Sequence, residues 1–200
     1  MNGTGERFKK EGFNIPKPLL PLGNERLLQL VKKSYPKDAT FIHIKQGGVR
    51  TSGPLETVLL DFEKKSFKGE ILIADCDSFF EEPSELWNAL EEFRQSECGG
   101  GVTVRRTTDP GCSYATVEKG FASDFREKDR YTEWSTTGPY YWKEWTTFYR
   151  CALKAYWNGV TSISPVYNYL KAPVRAIEVS TFVHLGTPDA YLAYCRRTHV

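Results

Sequence analysis

The run "GEILIAD", residues 69–75, constrains the fold more than any other stretch. It is an uninterrupted apolar segment closing on an acidic residue, the pattern of a strand buried on both faces of a mostly parallel sheet. Strand and helix patterns alternate around it. "ATFIHIK" (39–45) reads as a short strand, and "GPLETVLLDFEKK" (53–65) as a helix with Leu55, Val58, Leu59 and Phe62 on one face. Before them, "GNERLLQLVKKSY" (23–35) places four apolar residues at helical spacing behind a capping Asn24. After them, "EPSELWNALEEFRQSE" (82–97) reads as a helix opened by Pro83 with Ser84 as cap, and "CGGGVTVRR" (98–106) as a strand. Such alternation predicts α/β layering.

The second half is richer in aromatic residues. "SYATVEKGFASDFREK" (113–128) predicts a hairpin turning at Lys119-Gly120, and "TTGPYYWK" (136–143) a strand. Helices are expected over "TTFYRCALKAYW", "PVYNYLK" and "PDAYLAYCRR", with a strand over "VRAIEVS". No repeat or linker divides the chain, so one domain is expected over residues 1–200.

Charge and cysteine usage exclude several classes. With 27 basic and 25 acidic side chains and no basic block, the footprint of a general nucleic-acid binder is missing. Five scattered cysteines without a C-x-x-C argue against a disulfide framework and a zinc ribbon, and suit a reducing, cytoplasmic setting. No apolar run approaches the roughly 20 residues of a membrane span.

Two groups of residues carry chemical potential. Gly3, Gly5 and Arg7 form G-x-G-x-R, and Lys17 follows in I-P-K-P-L. Glycines let backbone N–H groups approach phosphate oxygens, and Arg7 and Lys17 add charge-assisted contacts. The same residues also read as a flexible terminus with a proline-bounded turn. Asp75 and Asp77, in "ILIADCDSFF", sit at the carboxyl end of the strand, where open α/β sheets bind ligands and where a carboxylate can hold Mg²⁺ against phosphate. The alternative is a pair that caps the next helix or is solvated. The tyrosines and tryptophans read mainly as core, and His43 and His184 as structural rather than acid-base groups.

In order along the chain, G-x-G-x-R-F with P-K-P-L, "TSGPLETVLL", "LIADCDSFF", "CSYATVEKGFASDFREK", "TTGPYYWK", "SISPVYNYL" and "HLGTPDAYLAY" resemble the motifs of the sugar-phosphate nucleotidyltransferases, which implies a GT-A-like α/β fold, a Rossmann-like three-layer arrangement around a mostly parallel sheet. Within that family the chain is similar to the small capsule-biosynthesis type. The resemblance implies Mg²⁺-dependent transfer of a nucleotidyl group from an NTP to a phosphorylated sugar or similar acceptor, with release of pyrophosphate, for surface polysaccharide precursors. It implies that the Gly3 and Gly5 backbone cradles the NTP phosphates, that Arg7 and Lys17 counter charge on them, and that Gln46 and Gly53 face the base. Asp77, helped by Asp75, would hold the metal. Glu127 and Lys128 would hold the acceptor's hydroxyls and phosphate, with Gly138 keeping the neighbouring strand open; read without the resemblance, Glu127-Lys128 is an exposed ion pair.

Three departures stand out. His184 occupies the position where many family members have a second metal-binding aspartate. One internal αβ unit, roughly 25 residues by the size of a βαβ crossover, is expected to be missing. For the apolar strand that precedes the phosphate loop in the family, two expectations stand: the true start lies upstream of Met1, or the sheet has lost that central strand. These departures keep a second reading open, a nucleotide-binding protein of the same fold without turnover. A third is a GT-A glycosyltransferase using Asp75-Cys76-Asp77 as its D-x-D.

Overall fold

Alternation of buried side chains along the strands decides how the layers assemble. The computed structural model describes residues 6–44, 51–62 and 67–199. Gly3, Gly5 and Gln46 therefore lie outside the described residues. The largest sheet contains β3 (Ile71–Ile73), β5 (Gly100–Arg106), β6 (Ser113–Glu118), β7 (Phe121–Glu127), β8 (Trp134–Trp142) and β9 (Val174–Glu178), in the order β3-β8-β5-β9-β7-β6. Two short pairs stand apart from it, β1 (Pro21–Leu22) with β2 (Glu25–Arg26) and β4 (Ser78–Phe80) with β10 (Phe182–His184).

On one face of the sheet Val102, Val104, Tyr140, Trp142, Val174 and Ala176 share a core with α3 (Pro54–Phe62), α5 (Trp145–Trp157) and the 3₁₀ turn Ser164–Tyr169. Odd and even neighbours exchange faces, as the pleat requires. Tyr141 and Leu72 face a second core built with α2 (Leu27–Lys33), α4 (Pro83–Gln95) and α6 (Pro188–Thr198). The result is the three-layer α/β arrangement expected from the sequence. The triple glycine that leads into β5 and forms its first two residues has a packing reason. A Cβ on Gly100 would meet the Tyr167 ring at 2.6 Å, and one on Gly101 the Phe93 ring at 2.4 Å. The hairpin turn also forms as expected, with Lys119 at φ 50° and Gly120 at φ 78°, the two positive values a tight turn between twisted strands demands.

Several expectations are corrected. The sheet is mixed rather than mostly parallel: among the described residues only β5 and β9 pair in parallel within it. The long strand β8 runs antiparallel to β3, β5 and β6 and sets that pattern. "GEILIAD" accordingly supplies a half-buried strand at the sheet's end, antiparallel to β8, instead of a strand buried on both faces. In "ATFIHIK" the described residues 39–44 form no strand; Phe41 and Ile42 are exposed at 41% and 44% and no ladder partner adjoins them. Helix α2 starts after Arg26, not Asn24, because residues 21–26 close a small hairpin, and Glu82 rather than Ser84 stands at the cap of α4. "PVYNYLK" winds as a 3₁₀ turn. All five cysteines are free thiols. Among the described residues no helix is long and apolar enough to cross a membrane.

Candidate active site

Pro16 and Pro18 shape the segment that delivers Lys17. The chain leaves α1 (Glu6–Lys10), and Lys17 opens a single 3₁₀ turn, Lys17–Leu19, whose exit is anchored by buried Leu20. From there the ammonium donates to Asp77 Oδ2 at 2.8 Å and to the Gly186 carbonyl at 3.2 Å, and lies 5.4 Å over the ring of buried Phe8. Asp77 itself is fixed by the chain beyond it, because its carbonyl accepts from Leu185 N at 2.8 Å where β4 pairs with β10. Burial works to raise the Asp77 carboxyl, but Lys17, with help from His184, outweighs it and holds the group below the usual carboxylate range.

His184 completes this cluster from β10. Its Nδ1 lies 2.9 Å from Ser78 Oγ and 3.9 Å from Asp77 Oδ1. Burial, then the nearby Lys17 and Arg105 cations, pull the imidazole below its ordinary value against the opposing field of Asp77, so the ring is neutral near pH 7. The imidazole also explains the glycine two residues on. A Cβ at Gly186 would stand 2.2 Å from His184 Nε2.

A concave pocket opens beside the cluster, walled by Asp75, Glu127, Gly138, Tyr140, His184 and Arg105 among others. Asp75 keeps open surface at its floor, yet protein crowds the remaining sides. That desolvation, followed by the neighbouring carboxylates Asp77 and Glu127, pushes the Asp75 carboxyl up to about 7 in spite of Lys17. Gly138, in the middle of β8, has φ 106°, and a Cβ there would meet Asp75 Oδ2 at 2.9 Å. Only glycine lets the strand pass this close to the carboxylate. Glu127 accepts a hydrogen bond from Ser113 Oγ across the β6–β7 pair. The pocket thus brings two carboxylates, Asp75 and Glu127, and the Arg105 guanidinium to one concavity.

The chain's overall shape matches solved structures. It superposes on the nucleoside-diphosphate-sugar pyrophosphorylase from Vibrio cholerae RC9 with a TM-score of 0.75, 21% identity and 98% of each chain covered. A Bacillus anthracis protein described as a glucose-1-phosphate thymidylyltransferase, in complex with sucrose, gives 0.74 at 16% identity, covering 96% of this chain and 89% of that one. The inositol-1-phosphate CTP transferase from T. maritima gives 0.72 at 16% identity, over 94% and 88%. The chain has the nucleotidyltransferase fold. At these identities the likeness is one of fold, and no protein-family model or curated protein matches the sequence.

On that nucleotidyltransferase fold the residues expected from the sequence fall into three sets. Lys17, Asp77, Asp75, Glu127 and Gly138 converge on the cluster and its pocket. Arg7 is exposed on α1, and no contact joins it to Lys17 or Asp77. Lys128 lies 3.9 Å from Glu127 but turns outward, its side chain 62% exposed and off the pocket wall. Gly53 has a packing task, since a Cβ there would stand 2.4 Å from the Thr161 carbonyl oxygen, which also accepts from Leu55 N. Sequence reasoning passed over Arg105, Ser78 and Gly186. The available signal was position: Arg105 lies near the carboxyl end of a strand whose middle is buried.

Proposed function

We propose that the protein transfers a nucleotidyl group from an NTP to a phosphorylated sugar or similar acceptor and releases pyrophosphate. The observation that carries this reading is the Lys17–Asp77 pair at the edge of the Asp75–Gly138–Glu127 pocket, on a fold shared with nucleotidyltransferases. An acceptor phosphate oxygen attacks the α-phosphorus, the bond from that phosphorus to the bridging oxygen breaks, and pyrophosphate departs with its electron pair. Such a displacement asks the protein mainly to position groups and balance charge.

Lys17 suits the α-phosphate. An ammonium has three N–H donors, and two are engaged by Asp77 and Gly186, which aim the third without consuming it. Asp77 holds the Lys17 ammonium in place. Gly138 leaves room at the pocket floor, and Glu127 offers acceptor oxygens to sugar hydroxyls. The acceptor phosphate is already ionised near pH 7, so neutral His184 serves as a wall that orients Asp77 through Ser78.

Magnesium fits the residues present. Mg²⁺ takes one or two carboxylates and fills the rest of its shell with water and substrate phosphate. Asp75 and Asp77 supply two carboxylates; burial first, then the Asp77 and Glu127 charges, keep the Asp75 carboxyl high, and a divalent cation would offset that charge. Those two residues would hold the ion, which supplies charge neutralisation to the triphosphate.

The test is pyrophosphate release across four NTPs and a panel of sugar phosphates, with and without a chelator. Turnover that needs the divalent ion and falls at least about 100-fold in Asp77→Ala supports the reading. Nucleotide binding without turnover, unchanged in that variant, points instead to a binding protein.

A further inference from the structure

The pocket holds one cation that the nucleotidyl-transfer reading leaves without a task. Two arginines end β5, and their surroundings differ. Arg106 pairs with Glu133 at 3.1 Å and with Glu178 at 3.8 Å. Arg105 has no ion pair among the described residues. Its Nε is buried and finds no hydrogen-bond partner. The guanidinium carbon lies 5.0 Å over the ring of Phe182, which supports it from one side. Among the described residues that line the pocket, Arg105 is the one cation, and it shares that lining with Asp75 and Glu127.

The guanidinium meets the Cys112 thiol but, among the described residues, no carboxylate, and its buried Nε carries a desolvation cost that a bound oxyanion would offset. Its flat fork matches the oxygens of a phosphate. Position agrees with this chemistry. His184 stands 3.9 Å from Asp77 Oδ1 and lies on the same pocket wall as Arg105, so an anion on Arg105 sits next to the Lys17 cluster. Lys128, the cation that the sequence offers for an acceptor phosphate, is turned outward.

We propose that Arg105 binds the phosphate of the acceptor and presents it toward the Lys17–Asp77 cluster. The assignment rests on the nucleotidyl-transfer reading for its substrate, while the anion site itself does not. It also implies discrimination. A neutral sugar, lacking the phosphate, leaves the Arg105 guanidinium without its anion and keeps only hydroxyl contacts with Asp75 and Glu127.

Arg105→Gln and Arg105→Lys, made in the full chain and checked for folding by thermal melting, test the assignment. Steady-state kinetics are measured with a phosphorylated acceptor that the wild type uses, and inorganic phosphate binding is followed by titration calorimetry. Arg105→Gln is expected to raise the acceptor KM by about 10- to 100-fold while the NTP KM stays within about twofold. Arg105→Lys, keeping the charge without the fork, recovers part of that loss. If the Gln variant does not fold, the Lys variant carries the comparison with a severalfold rise. An acceptor KM unchanged in both variants overturns the proposal. If the wild type turns over no acceptor, the nucleotidyl-transfer reading fails and phosphate binding decides. Binding in the wild type that is lost in Arg105→Gln supports the anion site, and equal binding, or none in either, overturns it.

Discussion

Lys17 and Asp77 depend on each other in a way that a single substitution exposes. Asp77 is 9% accessible, and Lys17 is the group that keeps its carboxylate charged there. Lys17→Met is expected to cost about 2 kcal/mol of stability and at least about 100-fold in turnover, because it strands a buried carboxylate and removes the charge at the α-phosphate. Adding Asp77→Asn to Lys17→Met should cost less stability than the two single losses summed, a coupling that chemical denaturation of all four proteins measures. Gly138→Ala is a second residue-scale prediction. The new methyl meets Asp75 Oδ2 at 2.9 Å on a backbone at φ 106°, so it should lower stability by about 1–3 kcal/mol and suppress turnover together. Denaturation midpoints and initial rates check both. Lys17, Asp75 and Asp77 were singled out by the sequence itself, through flanking prolines and a strand end, whereas Glu127 and Gly138 came only through the family resemblance. Arg105 was not, since in "VTVRR" the two arginines look alike until the neighbouring strands give one of them Glu133 and Glu178.

At the scale of elements, α4 is strapped to the segment between β9 and β10 by one carboxylate. Glu85 accepts from the backbone N–H and hydroxyl of both Ser180 and Thr181, with Thr181 N at 2.9 Å and Thr181 Oγ1 at 2.7 Å. Burial pushes Glu85 upward, but the bonds from Ser180 and Thr181 prevail and lower it below its ordinary 4.5. A carboxyl lowered on folding contributes stability that is fully present above its unfolded value and lost as pH falls through the folded one. The strap should therefore weaken below about pH 4.5, and Glu85→Gln should remove about 1 kcal/mol near pH 7 but almost nothing in acid, after discounting for exposure. Urea unfolding at the two pH values reads the difference. The β6–β7 hairpin was legible to the residue because Lys119-Gly120 encodes its own turn. The place of "GEILIAD" was not, because an apolar run looks the same whether its neighbour is parallel or antiparallel, and here the distant β8 decides.

At the scale of the whole molecule, the candidate site lies where two cores meet. The core around Trp142 and Tyr167, whose rings stack at 4.4 Å, lies on one side of the sheet, and the core around Phe93 and Tyr141 on the other. Lys17 reaches the site over Phe8 of the second core, while Tyr140, lining the pocket, belongs to the first. A ligand bridging Lys17 and the pocket should thus stabilise the molecule as a unit. NTP with Mg²⁺ at 100 times its dissociation constant is expected to add about 2.7 kcal/mol, a gain that Lys17→Met diminishes and that thermal unfolding detects. The layered α/β class was readable from alternation alone, whereas sheet polarity was not, because pairing across 30 or more residues leaves no mark in local periodicity. The central claim is that the bond broken lies between the α- and β-phosphates. It is tested most directly by supplying NTP labelled separately at the α- and γ-phosphates together with a phosphorylated sugar. The account predicts the α label in the sugar product and the γ label in pyrophosphate. A γ label transferred to acceptor or released as orthophosphate, or neither label moving with any acceptor, would contradict it.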